Sequence, residues 1–339
     1  MGGIILAESR IEVLSENNES WKREYFIKRF IEEKNDSKIL YVHTPFCKAK
    51  CKYCVYSSRV PKNIDELEDF VDDILPQQIH QYNSIFENVS FDEVYFGGGT
   101  PTILSYELLN RVFDMIPNFD KIPNKCIEAS PSTLTLEHIE LLAQNKFSFL
   151  SMGIQSLDEK LLKKYGRSTL SKEELISVCG KIRDANLFFN LDLICYLDKG
   201  DIRDLPQFED ELKYVLGYLK PNSVTIHQYY QSFFTIEKTK YLLEVINRIL
   251  AIFGDYVSAN SQMDVIQEEL LKDTVKQAEY RLIRKKENEY RHYMWDKHAS
   301  LPVEGYDILS IGYIPGCHTT SNVKKMVYEA AYGTLVFET

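Results

Sequence analysis

The stretch "HTPFCKAKCKYCVY", residues 43–56, puts Cys47, Cys51 and Cys54 within eight positions, spaced C-x3-C-x2-C. Three thiols in one loop, and not four, narrow the chemistry. Structural zinc takes four ligands, usually as two separated pairs, and the chain has no second CxxC. His43 precedes the group, but it lies on a predicted strand and would have to turn back to serve as a ligand. A [4Fe–4S] cluster has four irons. Three cysteines ligate three of them and leave one iron open to a non-protein ligand. The iron–sulfur reading is favoured, with structural zinc as the main alternative.

Outward from this loop, apolar runs alternate with helical patterns. The predicted strands are KILYVH (38–43), FDEVYFGG (91–98), KCIEAS (125–130), FSFLSMGI (147–154), LFFNLDLIC (187–195) and NSVTIHQYY (222–230). Between the first two, Ile64, Leu67, Val71, Ile74 and Leu75 recur at helical spacing behind Asn63 as N-cap. Pro76 should kink or split that helix. Ser171 with Glu174 forms a capping-box pattern, and Ser105 and Asp158 read as two further helix starts. Six strands alternating with helices predict an α/β fold built on a parallel sheet. An open sheet and a partial barrel both satisfy that pattern. In either, functional groups gather at the C-terminal ends of the strands. Residues 1–37 read as an N-terminal helical segment and 38–230 as the core. Residues 231–339, where the rhythm fails, read as a C-terminal accessory segment.

Composition sets further bounds. The formal net charge of -10 argues against a general electrostatic grip on nucleic acid. No apolar run reaches the roughly 18 residues of a membrane span. The start, MGGIILAESR, lacks a basic leader, and Leu6 stands where a myristoylation motif has Ser or Thr. The seven cysteines are an odd number, and Cys126, Cys179, Cys195 and Cys317 are scattered, which fits a reducing cytoplasm.

The cysteine spacing, with an aromatic residue just before the last cysteine, resembles the radical S-adenosylmethionine (SAM) superfamily. The flanks narrow this. YVHTPFC (41–47), YFGGGTPT (95–102), EASPSTLT (128–135), SMGIQSLDEKLLKKYGR (151–167) and NLDLICYL (190–197) are similar, in order and spacing, to the oxygen-independent coproporphyrinogen III oxidase family. The resemblance covers roughly residues 38–230. It implies a partial (β/α)6 TIM-like barrel with a smaller C-terminal element. It also implies a [4Fe–4S] cluster on Cys47, Cys51 and Cys54, whose open iron is chelated by SAM. In the family an electron from the cluster cleaves SAM to methionine and a 5′-deoxyadenosyl radical, which abstracts hydrogen from a substrate.

The resemblance also implies a cofactor-binding set. Gly98, Gly99 and Thr100 would bring backbone close to the amino acid moiety of SAM. Glu128, Gln155 and Asp192 would offer polar groups to ribose or ammonium from strand ends. Arg167 would pair with a carboxylate, or else be a solvated residue beside Lys163 and Lys164. Tyr41 and Tyr53 would pack against the cluster or SAM. No catalytic residue beyond these is identified.

The branch is less sharply marked. Porphyrinogen-oxidising members place a fourth cysteine two residues after the third, where this chain has Tyr56 after Val55. RHYMWDKH (291–298) and IGYIPGCHTTS (311–321) resemble diverged haem-chaperone tail segments. Tyr293 replaces the asparagine of that pattern, which argues against haem ligation by His292. His318 follows Pro315, Gly316 and Cys317 in a second candidate loop. The expectation is a cytoplasmic radical SAM enzyme acting on an unidentified small organic substrate. The alternatives are a class C-type methyltransferase or cyclopropanase and a haem-chaperone-like protein. Lys48, Lys50 and Lys52 alternate with the cysteines and suggest a docking collar for flavodoxin or ferredoxin as electron donor.

Overall fold

Strands covered on both faces read as continuous apolar runs, and each of the six runs forms a strand in the computed structural model. Residues 19–33, 37–54, 56, 58–195, 205–228, 236–258, 279–285, 306–312 and 314 are described. Val55, Tyr229, Tyr230, residues 291–298 with His292 and Tyr293, and Pro315–Gly316–Cys317–His318 lie outside the described residues. The chain forms two compact units. The first comprises Met1–Cys47, Val55–Lys125 and Lys297–Thr339. The second comprises Lys48–Cys54 and Cys126–Asp296.

In the first unit, helix α1 (Glu19–Glu32) precedes strand β1 (Ser37–Thr44). Helix α2 (Asp65–Asp69) runs through a π turn, Phe70–Ile74, into α3 (Leu75–Gln81), with α4 (Asn83–Asn88) after it. The helix therefore divides next to Pro76, as its missing N–H demands. The division is a π turn, in which Leu75 N–H reaches back to the Phe70 carbonyl. Strand β2 (Glu93–Gly98) and helix α5 (Tyr106–Met115) follow. Strand β1 pairs in parallel with β2 on one side and with β9 (Tyr306–Ile311) on the other. The core is rich in phenylalanine. Phe30, Phe46, Phe70, Phe96 and Phe113 are each 0–1% exposed, and each such burial contributes about 1.5–3 kcal/mol.

In the second unit, β3 (Asn124–Ala129), which the unit boundary crosses after Lys125, pairs in parallel with β4 (Phe149–Gln155). Strands β5 (Phe189–Cys195) and β6 (Ser223–Gln228) continue the parallel run. The crossovers are α6 (Leu136–Gln144), α7 (Glu159–Lys164), α8 (Lys172–Asp184) and α9 (Leu205–Tyr214). Helix α9 ends in a second π turn, Val215–Leu219. Helix α10 (Ile236–Ile252) buries Leu242, Val245, Ile246 and Ile249, and the tail then adds β7 (Tyr256–Ser258) and β8 (Glu279–Arg284), with β8 antiparallel to β6 and β7 antiparallel to β8.

The helix starts behave as their side chains dictate. Ser105 accepts from Leu108 N–H, Asp158 from Lys160 and Leu161 N–H, and Ser171 with Glu174 closes a capping box. Asn63 Oδ1 accepts from Glu66 N–H at 3.2 Å. Thr135 and His138 form a second capping box, hidden from the sequence because histidine stands where Glu or Gln is usual. No described helix is long and apolar enough to cross a membrane.

One ion pair ties this scaffold to the cysteine loop. Arg59 pairs with Glu66 through its two terminal guanidinium nitrogens, Nη1 and Nη2. Its backbone bonds Pro45 and Cys47 at 2.9 Å each. Hydrogen bonds from Arg59 hold the Glu66 carboxyl down to about 2, well under its usual 4.5. A carboxylate depressed in the folded state stabilises above its unfolded pKa and loses that contribution as pH falls through the folded one. Glu66→Gln is expected to cost about 1 kcal/mol at neutral pH after solvent screening. Urea denaturation at stepped pH should show the gap from wild type closing between about pH 4.5 and 2. A gap that does not depend on pH would contradict this.

Candidate functional site

Cys47 belongs to the first unit, and its surroundings explain the glycines. Gly99 N–H bonds the Thr44 carbonyl at 2.7 Å and Thr100 N–H bonds that of Phe46 at 2.8 Å, so the glycine segment lies directly on the backbone leading to Cys47. A Cβ at Gly99 would strike the carbonyls of Phe46 and Thr44. Gly98 has φ +103°, and a Cβ there would sit 2.5 Å from the His43 ring. Only glycine tolerates both demands. The Thr100 hydroxyl donates to Cys47 Sγ at 3.5 Å. Tyr41 stacks on Tyr95 with centroids 5.9 Å apart, and its hydroxyl is 3.3 Å from His43 Nδ1. Gly97 leaves room for both rings, since a Cβ would lie 2.8 Å from Tyr95 and 3.1 Å from Tyr41.

Cys51 and Cys54 belong to the second unit. Cys54 N–H bonds the Cys51 carbonyl at 3.0 Å, and Lys52 N–H bonds the Tyr165 carbonyl at 3.0 Å, seating the loop on the end of α7. Tyr53 is buried between the two thiols. It packs with Leu162, Leu161, Tyr165 and Ile194, its ring 5.9 Å from that of Tyr165. Burial pushes its phenol pKa well up, and the Arg167 charge opposes this only in part.

Arg167 is not the solvated residue that its lysine neighbours suggested. Its Nη2 donates to the Gly153 carbonyl and lies 3.5 Å from Ser130 Oγ, while Nη1 points at Cys51 Sγ, 3.8 Å away. Burial works to lower its pKa, and Tyr53 and Cys51 more than offset that. A Cβ at Gly153 would lie 2.5 Å from Gln155 Nε2 and 3.2 Å from Arg167 Nη2, so this glycine makes space for both side chains. Gln155 ends β4 just past a register shift and has φ +67°. Ser156 N–H returns to the Ile154 carbonyl at 2.9 Å, closing the strained form of γ-turn around it. A left-handed non-glycine residue costs about 1–2 kcal/mol.

The strand register puts Glu128, Ser151 and Asn190 side by side, with Gly153, Asp192 and Thr225 in the next row. Partners in register share a face, so Glu128 and Asp192 look the same way. The expensive carboxylate of Asp192 finds its donors. Ser151 Oγ bonds it at 2.8 Å and Asn190 Nδ2 at 2.7 Å. His227 Nε2 is 3.7 Å away. Ser223 and Thr225 hydroxyls in turn donate to Asn190 Oδ1 at 3.0 and 3.2 Å.

Ser151, Asn190, Thr225 and His227 were not among the sequence-derived candidates, nor were Gly97 and Gly153. One signal was available. Asn190 and Asp192 are two polar residues at alternate positions of an apolar strand, and so share a face. The rest depend on register.

Among the described residues, no three His, Cys, Asp or Glu side chains stand ready to hold a single metal ion. In the first unit a hydroxyl is aimed at Cys47 Sγ, and in the second a guanidinium is aimed at Cys51 Sγ. Hydrogen bonds and cations of this kind favour thiolate and tune cluster potential. Tyr53 Oη, Gln155 Oε1 and Arg167 Nε are shut off from solvent without a hydrogen-bond partner. Buried polar atoms are rarely left so, and three in one unit around Cys51 and Cys54 fit a polar ligand held there.

Comparison with known proteins agrees. The family model of the radical SAM superfamily matches residues 41–212. A protein named heme chaperone HemW from Buchnera aphidicola (subsp. Schizaphis graminum) is 29% identical over 192 residues, 56% of this chain and 50% of that one. The oxygen-independent coproporphyrinogen III oxidase of Salmonella typhimurium is 26% identical over 248 residues, 72% of this chain and 50% of that one. The chain thus spans about half the length of these curated relatives. The structure of coproporphyrinogen III oxidase (HemN) from Escherichia coli superposes with a TM-score of 0.65 at 18% identity, over 85% of this chain and 66% of that one. That likeness bears out the α/β fold with a partial (β/α)6 TIM-like core. Structural zinc gives way to the superfamily's cofactors, a [4Fe–4S] cluster and SAM. The chain belongs to the radical SAM superfamily, on its coproporphyrinogen III oxidase-like side.

Proposed function

We propose that this chain is a radical SAM enzyme that removes hydrogen from a small organic substrate. Cys47, Cys51 and Cys54 would ligate the [4Fe–4S] cluster. Gly98, Gly99, Thr100, Glu128, Gln155, Arg167 and Asp192 would hold SAM, with Tyr41 and Tyr53 packed alongside. Residues 38–230 would form the catalytic core, flanked by 1–37 and 231–339. The observation that carries this reading is the set of enclosed polar atoms, Tyr53 Oη, Gln155 Oε1 and Arg167 Nε, left for a ligand beside two thiols. When bound, the two cofactors together supply a one-electron cleavage of SAM to methionine and a hydrogen-abstracting 5′-deoxyadenosyl radical.

The residues of this chain would do the rest. Arg167, positive and partly buried, suits the SAM carboxylate, because a charged hydrogen bond strengthens as water is displaced. Asp192, held by Ser151 and Asn190, presents a fixed acceptor to a ribose hydroxyl. Gln155 adds an amide on the neighbouring strand. Such fixed placement is what lowers the barrier when two reactants must meet at one distance.

The test is release of 5′-deoxyadenosine and methionine by reconstituted protein under dithionite. Wild type should cleave SAM. Gln155→Ala and Asp192→Ala should each keep the iron and lose about tenfold or more in cleavage. A cluster-replete wild type that cleaves none, even with candidate substrates present, would overturn the enzyme reading. Two other readings remain in play in that same assay. Methyl transfer to product would place the chain with class C-type methyltransferases. No cleavage, with a Soret band on haem titration, would favour the haem-chaperone reading that the HemW relatives suggest.

An acidic flavodoxin or ferredoxin is the proposed electron donor, in the cytoplasm that the free cysteines suit. Lys48 and Lys52 are exposed, and the bond from Lys52 to Tyr165 brings them against α7, which exposes Lys163 and Lys164. This is a basic face on a chain of net charge -10. Reversing Lys48, Lys50 and Lys52 to Glu should slow reduction by flavodoxin about tenfold and flatten its salt dependence. Dithionite reduction should not change. Equal flavodoxin rates in mutant and wild type would remove the docking role.

A further inference from the structure

We propose that Glu211, seconded by Gln207, is a positioning residue that holds Gln155 in its ligand-facing conformation. This rests on the reading of Gln155 as a SAM-holding residue and deepens it.

Gln155 is held in a left-handed γ-turn. A free chain would relax out of that turn, so something must fix the residues that follow it. Residues 156–158 are fixed from α9. Ser156 Oγ donates to Glu211 Oε1 at 2.8 Å and accepts from Asp158 N–H at 3.0 Å. The Leu157 N–H also reaches the Glu211 carboxylate. One helical turn earlier, Gln207 Nε2 donates to Asp158 Oδ2 at 3.1 Å. Gln207 and Glu211 are four residues apart, so they share one face of α9.

The hold extends in both directions. Backwards it sets Gln155, whose Oε1 is enclosed and without a partner. Forwards, Asp158 caps α7 through Lys160 and Leu161 N–H at 2.9 and 3.0 Å. The end of α7 then carries Tyr165, whose carbonyl receives Lys52 N–H, and leads to Arg167, which points at Cys51. Two side chains on α9 therefore brace both a SAM-facing amide and the platform beneath the cysteine loop. Neither touches a cofactor position. Glu211 works at a cost, since burial raises its pKa while bonds from Ser156 and Leu157 oppose that. A carboxylate kept in such a place for stability alone would be easily replaced by an apolar residue.

The experiment compares full-length wild type, Glu211→Ala and Glu211→Gln after anaerobic reconstitution. SAM affinity is measured by equilibrium binding, iron content by analysis, and loop protection by hydrogen–deuterium exchange. Glu211→Ala should weaken SAM binding about five- to tenfold. It should keep its iron and exchange faster over residues 154–160. Glu211→Gln, which still accepts from Ser156, should bind SAM within about twofold of wild type. Wild-type SAM affinity and exchange in Glu211→Ala would overturn the proposal. So would equal losses in both variants together with loss of iron, which would mark a merely structural role. If wild type itself binds no SAM, the cofactor reading of Gln155 fails, and the exchange comparison still decides whether Glu211 fixes the turn.

Discussion

A guanidinium enclosed by protein must be satisfied or it destabilises the fold by several kcal/mol. Arg167 is the point at which that constraint organises the second unit. It takes the Gly153 carbonyl from β4, approaches Ser130 just past β3, and reaches Cys51 in the loop. Its own backbone is anchored to Leu162 at 2.9 Å. Gly153 has no side chain because the guanidinium and Gln155 fill that space. With a carbonyl taken from β4, the strand shifts register and Gln155 turns left-handed. The loop tyrosine then packs onto Leu162 and Tyr165, five and two residues before Arg167. Charge, sterics and strand geometry converge there, and the remaining open valences are those of Tyr53, Gln155 and Arg167 itself.

The first unit answers a different constraint, that of backbone on backbone. Strand β1 delivers Cys47, and β2 delivers a glycine run that lies on the same segment through two short hydrogen bonds. The glycines were expected to let backbone approach a ligand. The structure gives them a prior duty, to approach Thr44, Phe46 and His43. The two duties are compatible, because a segment held this tightly also presents Thr100 to Cys47 at a fixed distance. Arg59 completes the hold from the other side of the loop.

Much of this was legible in the chain, for physical reasons. The parallel strands are buried on both faces, so they announced themselves as apolar runs, and their observed bounds depart from the runs by two residues or fewer. Helix starts at Ser105, Asp158 and Ser171 were readable because the cap is a local bond. The cysteine loop was readable because its chemistry depends on spacing alone. Three things were not readable. The π turns at Phe70–Ile74 and Val215–Leu219 leave no composition signal. Strands β8 and β9 join the sheet beside β6 and β1, partners that lie far away in sequence. The support of Asp192 by Ser151 and His227, and of the Gln155 turn by Glu211, exists only once register and crossover packing are set. Arg167 was legible as a residue, and the solvated alternative that Lys163 and Lys164 offered gives way to a partly buried setting.

The central claim is that three cysteines hold a cluster with one iron open to SAM. Electron paramagnetic resonance of the dithionite-reduced, reconstituted protein, recorded with and without SAM, tests it most directly. The reduced protein should give a [4Fe–4S] signal whose shape changes on SAM addition, because the ligand binds the cluster itself. A reduced cluster whose signal ignores saturating SAM, or a protein that takes up zinc and no iron, would contradict it.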